Sequence, residues 1–184
     1  MNTTQVTVQK KSIFNEYAEV KSSGIHNKGV FAKKDIPQGT RIAEYTGRRI
    51  SKEESTRIQN KMLEDYENNP ENCAATYIFE IDETHDLDGD VDDNDPKYIN
   101  HSCNPNCEVD IIDGKVWLDT IKDIKKGEEL SFNYGFDIDK ENPYDFKKHP
   151  CRCGSQNCVR YILCEDEWPK AKELLEKENT TKSS

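Results

Sequence analysis

Short β-type runs separated by turn residues dominate the first third of the chain. Between Tyr17 and Ile50, GVFAKKDI leads to the Pro37-Gln38-Gly39 turn and then to TRIAEYTGRRI. That spacing predicts a fold of small irregular sheets rather than a doubly wound one. Ser51-Lys52-Glu53-Glu54 is a capping box, in which a serine hydroxyl accepts from the backbone three residues on. It opens a helix with Ile58, Met62, Leu63 and Tyr66 on one stripe, closed by Asn68-Asn69-Pro70. TYIFEI (76–81) returns to strand. EVDII and KVWLDTI flank Asp113-Gly114, a hairpin signal. Lys126-Gly127 then turns into EELSFNY. A last helix is predicted from Pro169 to Glu178, with Trp168, Ala171, Leu174 and Leu175 together and TTKSS as a solvated tail. The pattern predicts a mainly β fold with short helices and no internal repeat. It divides into a lead-in over 1–16, a principal domain over 17–136, a cysteine-rich segment over 150–164, and a helix and tail over 165–184.

At 184 residues the chain has room for one modest core. Charged residues make up 34% and hydrophobic ones 33%, but Trp 2, Tyr 8 and Phe 6 are too many for a disordered chain. The net charge of -10 repels a phosphate backbone, so nucleic-acid binding is not expected. It attracts basic peptides or protein tails instead. No apolar run approaches the roughly 18 residues of a membrane span. MNTTQVTVQKKSIF lacks the apolar core of a secretion signal. An intracellular, reducing compartment and a monomer are expected.

The seven cysteines fit that compartment. An odd count without a secretion signal argues against a disulfide framework. Cys151, Cys153 and Cys158, in CRCGSQNC, have the spacing of metal thiolates, but a closed zinc site needs a fourth ligand. Spacing alone leaves Cys103, Cys107 and Cys164 as candidates. The acidic run from Asp82 to Asp95 invites a calcium reading that its spacing refuses. With Asp86, Asp88 and Asp90 as first ligands, Val91 falls where the loop needs glycine and Lys97 where it needs glutamate. A solvated acidic loop is the expectation.

Three segments carry more specific chemistry. KSSGIHNKGVFA is a tight turn entering a strand; Gly29 permits close approach to the backbone, and Asn27 tolerates positive φ. YINHSCNPNC (98–107) is dense in side chains that bond to backbone, the composition of a rigid irregular loop. SFNYG places Tyr134 at a strand end before a glycine.

In order, GIHNKGVFA, AEYTG, YINHSCNPNC, GEELSFNYG and CRCGSQNC resemble the motifs of a SET-domain protein lysine methyltransferase with a zinc-binding post-SET segment. The resemblance spans about residues 17 to 164. It implies a SET-domain fold of small irregular sheets, with the NHSC segment threaded beneath the Tyr134 loop in a C-terminal pseudoknot. It also implies that S-adenosylmethionine is held by the backbone of Lys28, Gly29 and Val30, by Asn100 and His101, with Tyr77 near the cofactor or channel and Tyr161 over the adenine. Tyr134 would be the catalytic tyrosine, Tyr45 would line the lysine channel, and Phe132 would occupy the phenylalanine/tyrosine switch that sets product multiplicity. Cys103 would join Cys151, Cys153 and Cys158 as the fourth ligand of a structural zinc. The sequence departs from the family at Asn27, where a glycine is usual, and at Lys97, where arginine is common. Cys73, Cys107 and Cys164 receive no role beyond buried thiols.

The implied reaction is methyl transfer to the amine of a protein lysine, in a basic substrate such as a histone tail. Lysine must arrive unprotonated, against an ordinary pKa of about 10.4. A desolvating aromatic channel and a neighbouring positive sulfur both lower it. Tyr134 is expected to orient the reactants, and Tyr45 and Phe132 to tolerate methylated lysine by cation–π contact. With phenylalanine at 132, di- or trimethylation is expected. The competing class is a non-catalytic zinc-containing SET-like binding module, disfavoured by the intact Tyr134, Asn100, His101 and Gly29.

Overall fold

The computed structural model describes residues 14–69 and 77–182. A single helical turn, α1 (Phe14–Tyr17), leads into β1 (Ala18–Ser22), which pairs antiparallel with β2 (Lys28–Ala32). TRIAEYTGRRI becomes two strands, β3 (Arg41–Tyr45) and β4 (Arg48–Ser51), which belong to different sheets. The break falls at Thr46-Gly47, where the Thr46 amide donates to Asn94 Oδ1 at 3.2 Å instead of to a strand neighbour. Helix α2 (Lys52–Asn68) follows, and the Ser51 hydroxyl accepts from the Glu54 amide at 3.2 Å, half of the expected capping box. Ile58, Met62 and Leu63 lie half-buried on it.

The rest of the chain completes three small sheets. β5 (Ile78–Glu80) and β6 (His85–Asp88) join β4 in the order β4-β6-β5. β7 (Asn100–His101) is a two-residue strand. β8 (Cys107–Ile112) and β9 (Lys115–Thr120) form the expected hairpin, with positive φ at both Asp113 (51°) and Gly114 (71°), and join β3 in the order β3-β9-β8. β10 (Glu129–Phe132) completes the sheet β1-β2-β10-β7. Ile36, Ile42, Val116, Leu118, Ile124 and Leu130, nearly inaccessible to solvent, fill the core between these sheets.

The acidic run is not the solvated loop that composition suggests. Its start forms β6, the central strand of its sheet, with Asp86 and Asp88 buried. Arg48 reaches Asp88 and Lys52 reaches Asp86, each at 2.7 Å, so burial is offset by paired charge. Among the described residues these carboxylates form no metal-sized group. The last helix, α3 (Trp168–Lys182), is longer than predicted. Nothing in Asn179-Thr180-Thr181-Lys182 breaks it, and the Thr180 hydroxyl bonds back to the Glu176 and Lys177 carbonyls. Its Ala171, Trp168, Leu174 and Leu175 cover a second cluster of Ile138, Phe146 and Leu163. Among the described residues no helix is long and apolar enough to cross a membrane.

Candidate functional site

β7 runs parallel to β10, pairing Asn100 with Ser131 and His101 with Phe132. The following segment stays bound to the same strand, through Ser102 N–H to the Phe132 carbonyl (3.1 Å) and Asn106 N–H to the Ser131 carbonyl (3.2 Å). This pairing brings the 98–107 motif against the segment that carries Tyr134, about thirty positions later in the chain.

A cavity of about 270 Å³ opens where these elements meet the turn after β1. Ile25, Asn27 and Lys28 line one side, Asn100, His101 and Tyr134 the floor, and Cys151, Arg152 and Ile162 the other side. Tyr77, Lys97, Tyr98 and Phe136 complete the wall. Asn27 takes a positive φ of 23°, and its carbonyl accepts from the Ser23 amide at 3.2 Å, closing the turn. Asparagine thus holds the conformation for which a glycine is usual in the motif.

His101 connects this cavity to the cysteine cluster. Its Nδ1 accepts from the Tyr134 backbone N–H at 3.2 Å, which assigns the ring proton to Nε2, 3.6 Å from Cys103 Sγ. Burial pushes its pKa down to about 4, so the ring is neutral. The Tyr134 hydroxyl donates to the Ile99 carbonyl at 2.9 Å. Lys97 reaches Asp90 (3.1 Å) and the Val91 carbonyl (2.9 Å). Burial opposes its charge, but Asp90 more than compensates and its pKa is raised.

A second, narrower cavity meets the first at Tyr134, Tyr77, Lys97 and Phe136. Its walls are Tyr45, Phe79, Ile99 and Phe132. Phe79 packs edge-on to Tyr45 (centroids 4.8 Å) and stacks on Phe132 (5.9 Å). The Tyr45 hydroxyl donates to the Tyr77 carbonyl at 3.2 Å, and burial raises its pKa. Gly89 makes room for that ring: a Cβ there would lie 2.1 Å from Tyr45 Cε1. The result is an aromatic slot of about 30 Å³, reaching Tyr134.

Cys103, Cys151, Cys153 and Cys158 converge, with all four sulfurs within 4.8 Å of one another. Tetrahedral zinc with Zn–S bonds of about 2.3 Å spaces its sulfurs about 3.8 Å apart. The Cys103 and Cys151 sulfurs are 3.8 Å apart. Backbone N–H groups of Cys103, Cys153 and Arg160 point at Cys153, Cys151 and Cys158 Sγ at 3.4–3.5 Å, as suits thiolates. Burial first, and then the neighbouring Cys153 and Cys158, push the Cys103 thiol up to about 11, a cost that a bound cation reverses. The donor set therefore fits zinc.

The remaining sequence candidates fall around this frame. Val30 is wholly buried in β2 between β1 and β10, and neither it nor the buried Gly29 lines the cavity. Tyr161 packs edge-on against Phe146 (4.9 Å) in the second cluster, while its neighbour Ile162 faces the cavity. Cys107 is a buried thiol in β8; Cys164 is only half-buried and bonds Asp137 at 3.3 Å. Cys73 lies outside the described residues. Sequence reasoning passed over Arg152, Tyr98 and Phe136 in the cavity wall, and Glu129, which stands inside GEELSFNYG and bonds Asn100.

An irregular three-sheet fold, a segment paired beneath a terminal tyrosine strand and two cavities meeting at that tyrosine define a class of protein. The SET domain family model matches residues 27–135, more than half of the chain, and the chain belongs to that family. It is 33% identical over 156 residues to histone-lysine N-methyltransferase trithorax of Drosophila virilis, covering 83% of this chain and 4% of that protein. It is 36% identical over 144 residues to histone-lysine N-methyltransferase trr of Drosophila melanogaster, covering 76% of this chain and 6% of that one. It is 30% identical over 144 residues to the Saccharomyces cerevisiae histone-lysine N-methyltransferase named H3 lysine-4 specific, covering 76% and 12%. The chain thus corresponds to a small part of each of these relatives.

Proposed function

We propose that the protein transfers a methyl group from S-adenosylmethionine to the side-chain amine of a lysine in a basic protein substrate. The observation that carries this is the meeting of two cavities at Tyr134. One is polar enough to hold a nucleoside with an amino-acid tail; the other is aromatic and narrow enough for a lysine side chain. The similarity to proteins named histone-lysine N-methyltransferases supports the same reading.

Lys28, Asn100 and His101 would hold the donor, with the Gly29 and Val30 backbone and Tyr77 beside it and Tyr161 near the adenine. Bound there, the donor supplies a methyl group on a positive sulfur, which also disfavours a neighbouring ammonium. Tyr45, Phe79 and Phe132 exclude water and so favour the neutral amine the reaction needs. The Tyr134 hydroxyl and the Ile99 carbonyl, 2.9 Å apart, align the amine by hydrogen bonding. Zinc on Cys103, Cys151, Cys153 and Cys158 would pin residues 150–162 against the donor cavity, which Cys151, Arg152 and Ile162 line. Phe132 leaves space beside the amine, which favours di- or trimethylation.

A groove sharing Ile78 and Phe136 with the aromatic slot carries Asp137, Asp139 and Asp145, a surface suited to basic residues flanking the target lysine. A histone tail is the substrate class this favours. The protein acts as a monomer in a reducing compartment, where its thiolates persist, with residues 17–136 as the SET domain and 150–164 as the post-SET segment. Calorimetry with S-adenosylmethionine tests the reading at its base. Saturable binding supports it; absence of binding by zinc-loaded protein favours the non-catalytic module instead.

A further inference from the structure

We infer that Glu129, a residue outside the cavity, fixes the orientation of the Asn100 amide and so makes the site select for the α-ammonium group of the methyl donor. The inference rests on the cofactor reading above. Asn100 Nδ2 donates to Glu129 Oε1 at 2.7 Å and to the Lys28 carbonyl at 2.9 Å. A carboxylate and a carbonyl can only accept, so the amide nitrogen must face them. That commits Oδ1 to the other side, and among the described residues it accepts from no group. Asn100 is buried and lines the cavity. A fixed acceptor on the floor of a cavity, with its partner position open, recognises a donor, and best a cationic one.

Glu129 is itself held in place. The Ser23 hydroxyl lies 2.8 Å from Oε1 and 3.0 Å from Oε2, and Ser23 Oγ also accepts from the Ile25 amide at 3.0 Å. Gly29 is what admits the carboxylate: a Cβ there would fall 2.3 Å from Glu129 Oε1 and 2.8 Å from Ser23 Cβ. One side chain thus ties β10 to β7 and to the turn that lines the cavity. Without it, the Asn100 amide keeps the Lys28 carbonyl and a longer contact to Ser23 Oγ (3.3 Å) but loses its one charged acceptor, and its NH2 can turn toward the ligand's ammonium. Glu129 is a positioning residue.

The test is calorimetry of the zinc-loaded wild type, Glu129→Met and Glu129→Gln with S-adenosylhomocysteine and with its desamino analogue, which lacks only the α-amino group. Glu129→Met should bind S-adenosylhomocysteine about tenfold to a hundredfold more weakly, the worth of a hydrogen bond to a charged group. Its affinity for the desamino analogue should match the wild type's. Glu129→Gln retains one acceptor and should recover part of the loss. Equal losses for both ligands, or no loss for S-adenosylhomocysteine, overturn the inference. Should thermal unfolding show Glu129→Met to be unfolded, Glu129→Gln decides alone: a selective loss supports the role and unchanged affinity overturns it. Failure of the wild type to bind S-adenosylhomocysteine refutes the cofactor reading instead.

Discussion

The Tyr134 hydroxyl donates to the carbonyl of Ile99, 2.9 Å away, across the junction between the two cavities. Ile99 immediately precedes β7, and Tyr134 follows the end of β10, so the parallel β7–β10 pairing fixes this bond. The hydroxyl is thereby oriented before any substrate arrives, which is where positioning catalysis draws its advantage.

Tyr134→Phe should therefore lower turnover by about 10²- to 10³-fold, the usual cost of removing one preorganised polar group. Thermal stability and affinity for S-adenosylmethionine should stay near wild type. Single-turnover kinetics beside calorimetry separate the two effects, and unchanged turnover would contradict the role.

The cysteine cluster makes a second prediction. Protein purified without chelator should carry a single zinc by elemental analysis, and Cys158→Ser should lose it. Because residues 150–162 wall the donor cavity, the metal-free protein should lose activity at temperatures where the β3-β9-β8 sheet remains folded. Zinc-free protein with full activity would refute this.

How much of this was legible in the sequence depends on how local each cause is. The serine half of the capping box at Ser51 and the Asp113-Gly114 hairpin follow from neighbouring residues, and both form. The motifs around Asn100 and Tyr134 pointed to a site by resemblance, and both residues line one cavity. What stayed hidden depends on distant partners. Asp86 and Asp88 read as solvated because Lys52 and Arg48, which neutralise them, lie 34 and 40 positions away. Spacing could not choose among Cys103, Cys107 and Cys164; the folded chain groups Cys103 with the other three sulfurs, and Asn157 Nδ2 donates to the Cys103 carbonyl at 3.0 Å. Glu129 drew no reading from the sequence, because the groups that give it a role, Gly29, Ser23 and Asn100, lie 29 to 106 positions away.

Gly89→Ala probes the aromatic slot from a position that does not itself line the donor cavity. Its Cβ would fall 2.1–2.5 Å from two ring atoms and the hydroxyl oxygen of the buried Tyr45, which must move. Such overpacking costs about 1–3 kcal/mol of stability. Turnover should fall at least tenfold, on the order expected when a wall shifts by about 1 Å. Donor affinity should be retained. Equal loss of donor binding would show that the slot and the donor cavity are not separate.

Phe132→Tyr tests product multiplicity. Phe132 lies 4.9 Å from the Tyr134 ring, in the wall of the slot. A hydroxyl there can hold a water in the space a methyl group needs. Mass spectrometry at exhaustive turnover should find di- or trimethyl-lysine with wild type and mainly monomethyl-lysine with the variant. An identical distribution would reduce Phe132 to a packing residue.

The most direct test of the account as a whole is methyl transfer itself. Zinc-loaded protein is incubated with S-adenosylmethionine carrying an isotopically labelled methyl group and a mixture of core histones, and the products are mapped by tandem mass spectrometry. The account predicts label on the side-chain amine of lysine, absent from a parallel reaction with Tyr134→Phe. Label on no histone and on no protein of a host lysate, from enzyme that binds the donor, would contradict it.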